Sequence, residues 1–333
     1  MNLARRIEAM WWGKSTPPAL LRWLSHAYAA INKRNLARRK SRAIEPSVPL
    51  ISVGNITVGG SGKTPFVIWL CGELLQRDYQ PVILCRGDGG NLKQPKRIAC
   101  DDSACEIGDE ALLLAQSCDV PVIAGRDRIA GCRMAAELGD VIILDDGFQY
   151  RQLKRHCDIV LIPDAGIGNA YQLPAGPLRE PLSALQRADL IVRSGGDDEN
   201  KIVPLPLHEK TIRQWTWRSK IQPIHQICGP ETAKPEYCLA VAAIARPQRF
   251  IHSAAQVVSV EKEMLFADHH RYTADDISRM LTCRLPVLCT EKDAVKILPL
   301  WPEKQPLWVL PIVGESEQGL PQAIIKTMLS HRK

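Results

Sequence analysis

The chain has 333 residues, of which 45% are apolar and 24% charged, as expected of a globular protein with one large or two moderate domains. Its eleven cysteines include no C-x-x-C pair and are odd in number, which argues against a structural zinc site and a secreted disulfide framework and favours a reducing cytoplasm. The sequence contains no apolar run long enough for a transmembrane helix, and its N-terminus lacks the compact apolar core and cleavage site of a signal peptide.

The net charge of +7 is concentrated at the N-terminus, where residues 1–43 hold ten Lys or Arg and a single acid. After Trp11 and Trp12, a helical spacing of three and four residues produces an apolar stripe, formed by Leu20, Leu24, Ala27, Tyr28 and Ile31. Tryptophan and basic side chains beside such a stripe are typical of segments in the headgroup region of an anionic membrane. We predict that residues 1–45 form a basic amphipathic helical segment at a membrane surface. The alternative is a helix packed on the core with solvated charges. Nucleic acid is disfavoured, because the rest of the chain is slightly acidic and contains no recognisable nucleic-acid module.

A glycine-rich turn follows the apolar run 48–56 and precedes an apolar helical pattern. This order is typical of a loop that binds nucleotide phosphates, because backbone N–H groups converge there at the positive end of a helix. Lys63 would reach the outer phosphates, and the Thr64 hydroxyl would bind Mg²⁺. The strict pattern requires glycine where this chain has Thr57, so a chance glycine turn is the alternative. The predicted cofactor-binding residues are Asn55, Thr57, Gly59, Gly60, Ser61, Gly62, Lys63 and Thr64.

A second signal lies at 141–147, where four apolar residues are followed by Asp145, Asp146 and Gly147. This pattern predicts a buried strand with carboxylates at its carboxyl end, the usual place of a metal-binding aspartate beside a phosphate loop. We expect Asp145 and Asp146 to bind Mg²⁺ together with Thr64, and the pattern does not indicate which of the two binds directly. A plain Asp-Asp-Gly turn is the alternative.

Strands alternate with helices along most of the chain, which favours a doubly wound, mostly parallel α/β fold. Polar, irregular residues near 200–235 interrupt this alternation. We predict a nucleotide-binding domain of the phosphate-loop type at 46–200, a linker with short strands at 201–235 and a smaller α/β domain at 236–333. The cleft between the two domains is the expected site of the acceptor.

Phosphoryl transfer also needs a carboxylate near the attacking oxygen, and candidates follow from position. Asp109 lies at the head of a helix, and His269 and His270 precede another helix. Arg179 and Glu180 lie in a proline-rich loop that would hold them in fixed positions. The alternatives are an N-cap for Asp109, a polar loop for the histidines, and a structural turn with a surface ion pair for Arg179 and Glu180.

Taken together, the motifs resemble those of the tetraacyldisaccharide 4′-kinase (lipid A 4′-kinase) family, in the same order over residues 48–296. The matching segments are 53–65, 108–110, 125–128, 144–149, 173–181, 244–247, 266–270 and 290–293. The resemblance implies Mg²⁺-dependent transfer of the ATP γ-phosphate to the 4′-hydroxyl of an acylated glucosamine disaccharide 1-phosphate. It also implies peripheral binding at the cytoplasmic face of the bacterial inner membrane, which would explain the basic N-terminal segment.

Residue roles follow from the resemblance by position. Asp109 would be the catalytic base, assisted by a histidine for which His269 is favoured over His270. Arg179 would contact the transferring phosphate, and Glu180 would serve metal or phosphate together with Asp145 and Asp146. The chain departs from the family at Asp88, where an aromatic residue is usual in the Arg-Gly-x-Gly turn.

Two other nucleotide-binding classes share part of the pattern. Membrane-associated partitioning ATPases place a lysine immediately before the first glycine of the loop, where this chain has Val58. Metal-delivery GTPases carry a C-x-x-C pair or a histidine run near the loop, and neither occurs here. Both classes are therefore disfavoured.

Overall fold

The computed structural model describes residues 3–13, 15–195 and 213–330, which form ten α-helices and fourteen strands. The helices are α1 Leu3–Trp12, α2 Ala19–Lys40, α3 Lys63–Leu75, α4 Ala104–Ile107, α5 Asp109–Ser117, α6 Arg128–Ala136, α7 Pro247–Ala254, α8 Ala274–Thr282, α9 Glu291–Ile297 and α10 Leu320–Ser330. The strands are β1 Leu50–Asn55, β2 Pro81–Cys85, β3 Lys96–Arg97, β4 Val122–Ala124, β5 Val141–Asp145, β6 Cys157–Pro163, β7 Leu190–Gly195, β8 Gln214–Ile221, β9 His225–Cys228, β10 Tyr237–Ala242, β11 Ser259–Leu265, β12 Val287–Thr290, β13 Leu307–Leu310 and β14 Ile312–Ser316.

The larger sheet has nine strands in the order β14-β8-β7-β6-β1-β5-β2-β4-β3. Every pair from β8 to β4 is parallel, and only the edge strands β14 and β3 are antiparallel to their neighbours. The inner strands are buried along their whole length, as expected of a parallel sheet covered on both faces. The predicted doubly wound, mostly parallel α/β fold is confirmed.

Strand β1 is the centre of this sheet, with β5 on one side and β6 on the other. The chain order thus reverses at β1, and in open α/β sheets ligands bind at such a point, beyond the carboxyl ends of the strands. Val53 of β1 lies opposite Asp145 of β5. The glycine-rich loop and the acidic residues therefore emerge side by side.

The smaller sheet has five strands in the order β11-β10-β12-β13-β9, of which only β9 is antiparallel to its neighbour. Helix α8 precedes β12 and begins with a capping box, in which Thr273 and Asp276 satisfy each other's backbone N–H groups.

The sheets divide the chain differently from the predicted ranges. Strand β8, within the predicted linker, joins the larger sheet, and the linker's residues 201–212 lie outside the described ranges. The predicted smaller domain at 236–333 includes β14 and α10, yet β14 pairs with β8, and α10 buries Leu320, Ile324 and Met328 in the larger core. The physical reason is Pro311, which ends β13 and is followed directly by β14 of the larger sheet.

Helix α2 contacts the body of the protein through polar groups. Ser25 Oγ donates to Gln172 O at 2.9 Å, and Asn32 Nδ2 donates to Arg179 O at 2.8 Å. Of the predicted stripe, Tyr28 turns inward and donates to the same Arg179 carbonyl at 3.1 Å. The other members stay on the solvent side, and Leu20 is 67% exposed.

Ile31 of the stripe is 62% exposed, and one further apolar side chain, Trp23, extends this face with 66% exposure. The helix thus packs on the protein, as one alternative foresaw, but its apolar stripe points away from the core. None of the helices within the described ranges is both long and apolar enough to cross a membrane.

Candidate active site

The loop between β1 and α3 has the geometry of a phosphate cradle. Gly59 and Gly62 adopt φ values of +92° and +77°, which glycine reaches without strain, and α3 begins directly after Gly62. Because the first N–H groups of a helix have no partner within the helix, those at Lys63 and Thr64 are available to an anion. Ser61 is braced from two strands: its hydroxyl accepts from Asn55 Nδ2 at 2.9 Å, and its carbonyl accepts from Ser194 Oγ at 2.6 Å.

Lys63 extends from this loop towards the carboxyl end of β5. Its Nζ lies 3.5 Å from Asp146 Oδ1. Arg179 approaches the same carboxylate, with Nη1 at 3.1 Å and 3.3 Å from its two oxygens, and Arg128 donates to the Asp146 carbonyl at 3.0 Å. Asp146 itself is held at φ +47° by the turn that follows the strand. Two cations thus contact the Asp146 carboxylate beside the glycine-rich loop, and a third contacts the main chain of the same residue.

The adjacent carboxylate of Asp145 has a different environment. Burial and the nearby Glu110 carboxylate raise the pKa of Asp145 to about 7, although Lys63 opposes the shift. Burial also acts against ionisation of Asp146, but Lys63 and Arg179 outweigh it and hold the pKa of that carboxyl well below its usual range.

These donors fit a magnesium ion. Among the described residues, no group of three or more His, Cys, Asp or Glu side chains converges on one position. Mg²⁺ characteristically takes one or two carboxylates and completes its shell with water and nucleotide phosphates. Asp145, a carboxylate whose pKa is raised by burial and by the nearby Glu110, is the kind of group that a divalent cation would stabilise in its ionised form. Asp146 and the Thr64 hydroxyl are the further donors that the sequence predicted.

Arg179 and Glu180 are adjacent in sequence but point to different partners. Arg179 is fixed by its backbone N–H, which donates to the Ile56 carbonyl at 2.7 Å, and its side chain faces Asp146. Glu180 is only 1% exposed and is ion-paired with Arg187 at 2.7 Å. Its other oxygen accepts from Gln149 Nε2 at 3.2 Å, and the same Nε2 reaches the Asn55 carbonyl. Glu180 therefore supports the loop from behind, and Arg179 is the member of the pair that faces Asp146.

Asp109 and His269 are brought together from the two sheets of the protein. Asp109 is the first residue of α5, and His269 lies in the loop after β11. His269 Nδ1 is 3.1 Å from each Asp109 carboxylate oxygen. His270 is turned away: its Nε2 lies 3.0 Å from Asp276 Oδ2, and its ring stacks on Phe266 at 4.5 Å. Of the two histidines that the sequence left open, His269 is the one in contact with Asp109.

Two lysines of α9 complete this cluster. Lys292 Nζ lies 3.0 Å from Glu110 Oε1 and 3.9 Å from Asp109 Oδ2, and Lys296 Nζ lies 3.7 Å from Asp109 Oδ2. In the sequence, residues 290–293 stood out only as one of the segments that match the family. The available signal was the four-residue spacing of the lysines, which places both on one face of a helix that starts at the carboxyl end of a strand.

The cluster sets the protonation of its central pair. Burial would raise the pKa of Asp109, but the hydrogen bond from His269 and the charge of Lys292 outweigh it and lower the pKa to about 2. The hydrogen bond to Asp109 raises the pKa of His269, although burial and Lys292 oppose it. Asp109 is thus an ionised acceptor near neutral pH.

The turn that contains Asp88, where the chain departs from the family, lies beside the Asp109–His269 pair. Asp88 forms an exposed ion pair with Arg86 at 3.3 Å. Gly89 follows, where an added Cβ would lie 3.9 Å from Asp109 Oδ1, and its carbonyl accepts from Arg271 Nη2 at 3.0 Å. The charge of Asp88 is therefore matched within its own turn.

Residues 18–329 match the sequence model of a family described as Tetraacyldisaccharide-1-P 4'-kinase. The chain belongs to this family. The resemblance inferred from its motifs is confirmed, and the partitioning ATPases and metal-delivery GTPases are set aside.

Curated relatives in the tetraacyldisaccharide 4′-kinase family align over nearly the full chain. The Tetraacyldisaccharide 4'-kinase of Methylobacillus flagellatus is 35% identical, over 97% of this chain and 96% of its own length. That of Halorhodospira halophila is 37% identical, over 94% and 93% respectively. A crystal structure of LpxK from Aquifex aeolicus in complex with ATP superposes with a TM-score of 0.73 at 27% identity, covering 92% of this chain and 97% of that one.

Proposed function

We propose that this chain is an ATP-dependent lipid kinase of lipid A biosynthesis that transfers the γ-phosphate of ATP to the 4′-hydroxyl of tetraacyldisaccharide 1-phosphate. The observation that carries the proposal is the contact between Asp109 and His269 next to a phosphate loop, in a member of the tetraacyldisaccharide-1-P 4′-kinase family. Glu110 links the two parts, because it pairs with Lys292 and also raises the pKa of Asp145.

ATP would bind with its phosphates on the loop from Gly59 to Thr64. The backbone N–H groups at the start of α3 and the Lys63 ammonium would contact the phosphate oxygens. Asp145, Asp146 and Thr64 would hold Mg²⁺, which neutralises phosphate charge and orients the nucleotide. Arg179, already directed at Asp146, is in a position to contact the transferring phosphate, and Glu180 would fix the loop that carries it.

Asp109 would accept the proton of the 4′-hydroxyl as that oxygen attacks the γ-phosphorus. Its lowered pKa keeps it ionised, and the hydrogen bond from His269 holds the carboxylate in one orientation. The pair is formed by residues from both sheets, so we propose that closure of the smaller unit over the larger one assembles the site.

The acceptor is an acylated lipid, and the N-terminal segment offers a surface for reaching it. Helix α2 directs Leu20, Trp23 and Ile31 towards solvent, and the same helix carries basic residues through its last turn. We propose that this face lies on the anionic cytoplasmic surface of the bacterial inner membrane and that the protein is peripheral there. Tyr28 and Asn32 of α2 both donate to the Arg179 carbonyl. The helix that would face the membrane is thus hydrogen-bonded to the residue that would contact the transferring phosphate.

The test is transfer of label from γ-labelled ATP to detergent-dispersed tetraacyldisaccharide 1-phosphate in the presence of Mg²⁺. Wild-type protein should label the lipid, and Asp109→Ala and Lys63→Ala should each reduce the rate by two to four orders of magnitude. Asp275→Ala is the matched control, since Asp275 is also an acid in the first turn of a helix but is exposed and does not belong to the cluster around Asp109. ATP hydrolysis without lipid labelling, insensitive to Asp109→Ala, would contradict the proposal.

A further inference from the structure

Lys292 lies at the centre of a cluster of side chains drawn from both units of the protein. Its Nζ is 3.0 Å from Glu110 Oε1, 3.5 Å from His269 Nε2 and 3.9 Å from both Asp109 Oδ2 and Asp268 Oδ1. Burial would lower the pKa of Lys292, but the carboxylates of Glu110, Asp109 and Asp268 outweigh it and raise the pKa. The side chain is therefore an ammonium group at neutral pH.

The contacts on the two ring nitrogens of His269 restrict its tautomer. Nδ1 faces both oxygens of an ionised carboxylate, which can only accept hydrogen bonds, so Nδ1 carries a hydrogen. Nε2 faces the ammonium of Lys292, which can only donate. A hydrogen on Nε2 would point at another donor, and a neutral ring with an unprotonated Nε2 accepts from it instead.

Other charged groups near the pair do not make this contact. Lys296 Nζ lies 3.7 Å from Asp109 Oδ2 and 3.2 Å from Asp293 Oδ1, so its charge is balanced by a carboxylate of its own helix, α9. Asp268 lies 3.9 Å from His269 Nε2 and would favour a hydrogen there. On the other side, Arg271 is engaged with the Gly89 carbonyl, and Arg86 with Asp88.

We propose that Lys292 is a positioning residue for the Asp109–His269 pair. Its ammonium is held by Glu110 and faces Nε2 of His269. It selects the neutral Nδ1–H tautomer, although Asp268 favours a hydrogen on Nε2. The pairing of Lys292 with Glu110 also links α5 to the smaller unit. This inference rests on the proposed function, in which Asp109 receives the proton of the acceptor hydroxyl. A charged ring would hold the Asp109 carboxylate more tightly and weaken it as a base, so the neutral tautomer is the productive one.

The tautomer can be observed without any substrate. In protein labelled with ¹⁵N-histidine, the His269 signals are identified by their loss in His269→Gln, and their shifts at pH 8 distinguish the two neutral tautomers. We expect the Nδ1–H form in the wild type. An Nε2–H form in the wild type would overturn the proposal, whether or not any variant folds.

The variants Lys292→Met and Lys292→Arg test the cause. Removing the cation should raise the titration midpoint of His269 by roughly one pH unit and admit the Nε2–H form, whereas the arginine should restore wild-type behaviour. Lys96→Met is the matched control, because Lys96 also bridges two carboxylates, those of Asp102 and Glu106. An unchanged His269 in Lys292→Met would contradict the proposal.

The kinetic consequence separates positioning from simple structural damage. Loss of Lys292 raises the pKa of both His269 and Asp109, so the acid limb of the pH–kcat profile should move to higher pH by roughly one unit, with kcat at pH 7 reduced about tenfold. The KM for ATP should stay unchanged, and Lys292→Arg should recover both effects. A lower kcat with an unmoved acid limb would overturn the proposal. Absence of lipid phosphorylation by the wild type would count against the proposed function alone, since the histidine spectra still decide the role of Lys292.

Discussion

Asp145 and Asp146 are consecutive in the chain, yet their surroundings shift the pKa values of their carboxyl groups in opposite directions. Burial and Glu110 raise the pKa of Asp145 to about 7, while Lys63 and Arg179 lower that of Asp146. Pairs of titratable groups whose environments push them apart are characteristic of functional sites. Asp145, whose ionisation is disfavoured, is the carboxylate that a divalent cation would stabilise most. Asp146 balances the charges of Lys63 and Arg179, the cations that we propose contact phosphate.

This contrast gives opposite predictions for two isosteric variants. Because the folded-state pKa of Asp145 is raised, its ionisation lowers stability as the pH rises from about 4 to about 7. Asp145→Asn should therefore raise the free energy of unfolding at pH 8 by roughly 2 to 4 kcal/mol and have little effect at pH 4. Thermal unfolding of nucleotide-free protein at the two pH values measures this. An equal effect at both would exclude the titration as its cause.

Asp146→Asn should behave differently. The folded-state pKa of Asp146 is depressed, so its contribution to stability is fully present above the unfolded-state value of about 4 and is lost only in acid. The variant should destabilise the protein by about 1 to 3 kcal/mol, equally at pH 5 and pH 8. A loss of stability confined to one pH would be inconsistent with the two cations that contact this carboxylate.

The two adjacent histidines should separate into one kinetic and one structural effect. His269→Gln breaks the contact with Asp109 and should lower kcat by about one to two orders of magnitude, with little change in the melting temperature. His270→Gln removes the hydrogen-bond contact with Asp276 and stacking on Phe266, so it should lower the melting temperature by a few degrees and leave kcat within about twofold. The reverse assignment would show that the other histidine serves the reaction.

Arg187 should matter for stability because its removal would leave the buried Glu180 carboxylate without its ionic partner. Arg187→Met removes the ionic partner of Glu180, a carboxylate that is 1% exposed, and should cost about 3 kcal/mol in denaturant unfolding. The double variant Arg187→Met with Glu180→Gln should recover much of this, since no buried charge remains. Failure to recover would mean that Arg187 acts mainly by packing on Phe148, over whose ring it lies at 4.8 Å.

The exposed face of α2 should be needed for membrane binding and dispensable for folding. The triple variant Leu20→Ser, Trp23→Ser, Ile31→Ser should weaken binding to vesicles containing anionic lipid by about tenfold or more and leave the melting temperature unchanged. A matched control replaces three exposed apolar residues elsewhere, Leu298, Leu300 and Ile312, by serine. Equal loss of binding in both would indicate nonspecific adsorption.

Local pattern was sufficient to predict the strands and the helix that carry the proposed phosphate site. An apolar run followed by a glycine turn, and another followed by two acids, predicted β1, α3 and β5, and the parallel pairing of β1 with β5 brings Lys63 to Asp146. Each signal lies within about twenty residues, and the carboxyl ends of parallel strands necessarily share one edge.

The rest of the candidate site depends on contacts that no local pattern contains. Asp109 and His269 are 160 residues apart, and position alone left each with an ordinary alternative. The sequence analysis assigned Lys292 no role, and the local pattern explains its segment without one, because Thr290 caps α9 by accepting from the Asp293 N–H. The domain limits differed for the same reason: whether β14 continues the smaller sheet or returns to the larger one depends on pairing with β8, over ninety residues earlier.

The return of the chain at Pro311 has a mechanical consequence. The chain leaves the larger sheet after β8, forms the smaller sheet, and returns to the larger sheet at β14. At this crossing the Gln222 N–H donates to the Pro311 carbonyl at 2.9 Å, so the outgoing and incoming segments are hydrogen-bonded to each other. Two tethers joined at one place allow swinging about that point but resist twisting and sliding. The closure that we propose would then be a swing about this crossing, and it would bring His269 to Asp109 along an arc.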